Sequence, residues 1–183
     1  MSKVEVYKKQ FVYYKSLADI SVSQLSQDEI YHRASDYDNS IAIIMNHMAG
    51  NMLSRWTDFI ESDGEKAWRD RDREFEQPNI DIEALSAYWN KGWETLFETL
   101  DDIQDDDLEH TVYIRNMGCT VHDAIIRQIS HYAYHVGQIV YIAKSLKQNE
   151  FTSLSIPRGK SKLYNQKRFQ SNRVLKHFTD DVK

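Results

Sequence analysis

Two prolines and six glycines are all the backbone breakers in 183 residues, and the apolar residues between them recur mostly at helical spacing rather than in strand-like alternation. A chain so rarely interrupted predicts long helices. The first spans about Val4 to Ile20, with Phe11, Tyr14, Leu17 and Ala18 facing inward. The second begins at Asp38 or Asn39, both good N-caps, and runs through Ile41, Ile44, Met45, Met48, Met52, Trp56 and Phe59. A third fits Ile82 to Leu100 on Leu85, Tyr88, Trp89, Trp93, Leu96 and Phe97. The fourth, opened by a Thr120 and Asp123 capping pattern, covers Val121 to about Leu146. Ser26 and Glu29 predict a capped helical turn after the first helix, and Thr111 to Arg115 alternates enough for a short extended piece. The fold class is therefore all-α, an up-and-down four-helix bundle forming a single domain over residues 1–183.

The segment from Ser62 to Asp81, charged and dotted with aromatics, is too long for a plain helix-to-helix turn. Its Glu74 and Glu76 read as surface charges. The acidic run Asp101, Asp102, Asp105, Asp106 and Asp107 reads as a solvated helix end.

Formal charge is −5 and unevenly spread, −11 over residues 1–146 and +6 over residues 147–183. An acidic body argues against a nucleic-acid groove binder, and the basic tail, about 147–183, is expected to pack on that body or on a partner copy. The tail should end in a short helix through Phe169, Leu175 and Phe178. No apolar run approaches the roughly 18 residues of a membrane span, and the N-terminus lacks a signal-peptide pattern. Cys119, the one cysteine, excludes an internal disulfide and reads as incidental. These features predict a cytoplasmic protein that binds neither nucleic acid nor membrane.

His131 and His135 lie four residues apart, so both imidazoles stand on one helix face and can reach one metal ion. Such pairs are common by chance, and a third ligand is needed. At about 100° per residue the apolar stripe of the fourth helix falls near 80–160° from His131, with the two histidines flanking it at about 0 and 40°. His47 occupies the same flank of the second helix. Two facing helices can thus build a His₃ site with an open position for water or substrate. His32, His110, His122 and His177 fall in loops, at helix ends or in the tail. Arg127 and Asn51, each one turn from a candidate ligand, are candidates to bind substrate or to orient a ligand or bound water. Gly50 and Gly137, inside predicted helices at a cost near 1 kcal/mol, suggest close helix contact near the metal.

The runs Asn46-His47-Met48-Ala49-Gly50-Asn51-Met52 and Arg127-Gln128-Ile129-Ser130-His131-Tyr132-Ala133-Tyr134-His135-Val136-Gly137-Gln138-Ile139 resemble the DinB-like superfamily. More narrowly the chain resembles a branch of it known only as a domain of unknown function, which Gly50 to Phe59 and Ser155 to Ser161 also match. The resemblance implies a homodimer of DinB-type bundles, with a long connection between the second and third helices. It also implies a divalent metal held by His47, His131 and His135. Similarity to S-transferases that use bacillithiol, mycothiol or glutathione implies a zinc or nickel centre that activates a low-molecular-weight thiol toward a small electrophile.

Three imidazoles leave the metal its charge, and a coordinated thiol would lose its proton. The same site could activate water, although the glutamate that follows the first histidine of zinc proteases is Tyr132 here. A metal-dependent hydrolase and a non-catalytic metal- or ligand-binding dimer are the competing readings. Turnover with thiol, turnover without it and binding without turnover separate the three.

Overall fold

Serine, aspartate and threonine start the long helices by accepting N–H groups that the first turn leaves unpaired. The computed structural model describes residues 1–181. In it Ser2 opens α1 (Lys3–Val22), Ser40 opens α3 (Ile41–Trp56), Asp81 opens α4 (Ile82–Asp102) and Thr120 opens α5 (Val121–Lys147). The short α2 (Gln27–Tyr31) carries the expected Ser26 and Glu29 capping box. The cap of α3 is Ser40, not Asp38 or Asn39. This helix also ends at Trp56 instead of continuing to Phe59, because Asp58 takes a left-handed backbone at φ 45°. Phe59 is nonetheless buried beyond the break, its ring 4.9 Å from Trp56.

The core lies between the four long helices: α3 packs along α4 and α1 along α5, with further contacts from α3 to α5 and from α1 to α4. Each helix supplies an aromatic side chain to one cluster. Phe11 of α1 meets Trp56 of α3 at 6.0 Å and Tyr132 of α5 at 5.7 Å, and Trp93 of α4 meets Tyr132 at 5.7 Å. All four are almost fully buried, and edge-on packing of this kind adds to the stabilisation from apolar burial. α3 is buried on nearly every face, which explains why its sequence is the most apolar of the four.

The expected extended piece is β1 (Thr111–Ile114), antiparallel to β2 (Met117–Thr120), a partner strand the sequence did not announce. Arg115 and Asn116 turn the hairpin at φ 55° and 60°, the left-handed pair of a two-residue hairpin turn. Asp63, in the long connection, accepts the N–H groups of Glu65, Arg115 and Asn116 at 2.7–2.8 Å. Gly64 adds an N–H to the Tyr113 carbonyl at 2.8 Å. The connection is thereby fastened to the hairpin.

The acidic run after α4 is more than a solvated helix end. Asp105 accepts the Lys3 and Val4 N–H groups at 3.0 Å and so completes the start of α1. In the tail, α6 (Ser161–Phe169) has no buried residue, and Leu175, expected to share its helix, is fully exposed outside it. Near the end Phe178 packs edge-on against Tyr13 at 5.2 Å, and the acidic Asp180 pairs with Lys9 at 2.6 Å. No helix among the described residues is long and apolar enough to cross a membrane.

Candidate metal centre

The helical spacing of His131 and His135 and the burial of α3 together bring three imidazoles to one point. His47 and His135 are buried, His131 half-buried. The Nε2 atom of His131 lies 3.4 Å from that of His47 and 3.0 Å from that of His135. Nitrogen ligands 2.0–2.1 Å from a tetrahedral ion would stand about 3.3 Å apart. Among the described residues these three histidines are the one group of histidine, cysteine and carboxylate ligands able to hold a metal ion.

The other ring nitrogen of each histidine fixes its tautomer. Glu74 accepts from His47 Nδ1 at 2.9 Å, and an ionised carboxylate can only accept. Gln138 Oε1 faces His135 Nδ1 at 2.8 Å, while its amide nitrogen donates to the Tyr134 hydroxyl. Gln128 Oε1 lies 3.4 Å from His131 Nδ1. With the protons on Nδ1, the Nε2 lone pairs of all three rings converge. Only a cation relieves that arrangement, and the donor set suits a divalent metal that favours imidazole.

Burial, then the neighbouring His135 and His47, pushes His131 down to about 3. Burial likewise takes His135 to about 4, against the opposing hydrogen bond to Gln138. Both rings are neutral near pH 7, as ligation requires. Glu74 is not the surface charge its sequence suggests. It is buried and held by Arg69 through paired contacts at 2.7 and 2.8 Å. Burial raises its pKa, but Arg69 and His47 outweigh that and keep the carboxyl below its ordinary value. Phe75, next in the chain, lies against the His47 ring at 4.3 Å.

Gly50 explains how a carboxylate approaches α3 so closely. A Cβ at that position would fall 2.3 Å from Glu74 Oε1. The close contact is therefore with a side chain of the connection rather than with another helix. Gly137 has no neighbour within 4 Å of where its Cβ would be, so the expected helix contact there is absent. The composition of the connection gave no warning of Glu74 because charge alternates throughout it; the signal that could have found it was a glycine one turn after His47.

Asn51 and Arg127 both border the cavity of about 500 Å³ that opens from the histidines. Asn51 Oδ1 accepts the Tyr132 hydroxyl at 3.0 Å, and that hydroxyl accepts Trp56 Nε1–H at 3.1 Å. Tyr132, in the position of the zinc-protease glutamate, thus joins α5 to α3 through the core. Cys119 is half-buried, and burial followed by the nearby Asp123 pushes its thiol up. His122 stacks on Tyr7 at 5.8 Å, away from the centre.

The family described as "Protein of unknown function (DUF1572)" matches residues 2–160. The chain belongs to that family. The DUF1572 match includes the three histidines, Glu74 and the whole connection, and it stops before α6. No curated protein matches the chain.

Proposed function

We propose that this DUF1572 protein is a metal-dependent enzyme of the DinB-like superfamily, its helices forming that superfamily's four-helix bundle, and that it transfers a low-molecular-weight thiol to a small electrophile. The observation that carries the reading is the convergence of three Nε2 lone pairs, each ring oriented from behind by Glu74, Gln128 or Gln138. A divalent metal there, zinc or nickel, would supply the charge that lowers a thiol's pKa into the neutral range.

The chain's own part is to orient the ligands and admit the reactants. Glu74 and the two glutamines hold the rings, Phe75 covers one face of His47, and the cavity leaves one side of the centre open to solvent. No aspartate or glutamate lines that cavity. Both Glu74 oxygens are engaged by Arg69, one of them also by His47. This favours thiol transfer over hydrolysis, because a thiol deprotonated by the metal charge needs no carboxylate base, whereas water attack generally uses one.

Elemental analysis of the purified protein, followed by thiol consumption with a generic electrophile, tests the reading. About one metal per chain and thiol-dependent turnover abolished in His135→Ala are expected. Metal without turnover for any low-molecular-weight thiol would defeat the transferase assignment, and a metal-free protein that takes up neither zinc nor nickel would defeat the centre itself.

A further inference from the structure

The cavity beside the histidines holds more positive charge than its neighbours compensate. Arg55, in the last turn of α3, is only 4 % exposed, yet its Nε and Nη1 groups have no acceptor among the described residues. Its side chain borders the same cavity as the three histidines. Gly64 of the connection presses against it so closely that a Cβ would lie 2.6 Å from Nη1. The connection is fastened there by Ser54, which donates to the Gly64 carbonyl at 3.0 Å and accepts the Lys66 N–H at 3.1 Å. The guanidinium is thus walled into place.

The nearest carboxylates are committed elsewhere. Glu74 serves His47 and Arg69, Glu65 pairs with Arg69 at 3.1 Å and Arg115 at 3.4 Å, and Asp63 is occupied by backbone N–H groups. Arg127, Arg115 and Arg71 line the cavity as well. Burial weakens the Arg55 charge first; Tyr132 and Glu65 support it, and Arg127 and Arg69 oppose it. A buried guanidinium lacking acceptors carries a large desolvation cost, which an acceptor from outside the chain would offset.

We propose that Arg55 is the anion-binding residue of this cavity, and that the substrate taken up beside the metal centre carries an oxyanion group, carboxylate or phosphate, which accepts hydrogen bonds from the Arg55 guanidinium, with Arg127 contributing at the exposed edge. This rests on the reading of the cavity as the substrate site. Guanidinium is suited to both groups because its planar fork matches their paired oxygens.

The test is a titration of the full ¹⁵N-labelled chain with inorganic phosphate and, separately, with succinate. Ionic strength is held constant with sodium chloride, and the titration is run zinc-loaded and again after chelation. The Arg55 Nε–H resonance, assigned from its loss in Arg55→Lys, should shift saturably with at least one anion. Calorimetric affinity should fall at least about tenfold in Arg55→Gln, with a smaller loss in Arg127→Gln. An Nε–H signal unmoved by both anions through the millimolar range overturns the proposal even if Arg55→Gln fails to fold, as does a folded Arg55→Gln that binds the tighter anion as well as wild type. A zinc-binding chain with no Arg55 response sinks this inference and leaves the metal centre standing. A chain that binds the anion but no metal does the reverse.

Discussion

With both oxygens on Arg69 and one also on His47 Nδ1, the Glu74 carboxylate fixes the rotation and tautomer of an imidazole whose other nitrogen faces the centre. Glu74→Gln should keep the fold and lower metal affinity about 10- to 100-fold, measured by competition with a chromophoric chelator; an unchanged affinity would refute the orienting role. Gly50→Ala should cause a similar loss, since its methyl would occupy the space of Oε1. Acid should act through the other two ligands. His131 and His135 take up protons near 6.5 when unfolded but only at about 3 and about 4 when folded. The unfolded chain therefore binds more protons over that interval. The metal-free protein should hold its full stability from these groups above pH 6.5 and lose it progressively as pH falls toward 4. A thermal midpoint indifferent to pH between 7 and 5 would contradict this. His131 and His135 were legible in the sequence because helix geometry alone brings i and i+4 together. Glu74 was not, because its partner lies 27 positions away and only the folded connection unites them.

Asp63 joins two elements that helical periodicity says little about, the connection and the hairpin. Its carboxylate accepts three backbone N–H groups, which together keep its pKa below the ordinary value despite the opposing effect of burial. Replacing it with alanine should destabilise the protein by about 2–3 kcal/mol and speed amide exchange at Arg115 and Asn116; unchanged exchange there would show that the hairpin stands without it. Caps and apolar stripes made the long helices readable, and Thr120 with Asp123 placed the start of α5 correctly. The end of α3 was not readable, since Phe59 continues the apolar period while Asp58 turns the backbone out of the helix. β2 was equally silent: Met117-Gly118-Cys119-Thr120 has no alternation, and its pairing depends on the left-handed turn before it.

Taken as a whole, the molecule separates a packed body from a lightly attached tail. Ending the chain after Lys160, where the family match stops, should leave the metal stoichiometry unchanged and cost no more than about 2 kcal/mol, the worth of one aromatic contact and one surface ion pair. Loss of the metal on truncation would mean that the tail supports the centre. Charge imbalance correctly marked the tail as distinct, but it pointed to cations docking on the acidic body, whereas Phe178 and Asp180 make its attachments to α1. The pairing of α1 with α5 also bears on biosynthesis. About a hundred residues separate the end of α1 at Val22 from the start of α5 at Val121. At about 5–20 residues per second, α1 waits several seconds or longer for its main partner to be made. Its apolar face stays uncovered on the ribosome for that time, so nascent chains stalled before Val121 should be readily cut by protease within α1, and released full-length chains should not.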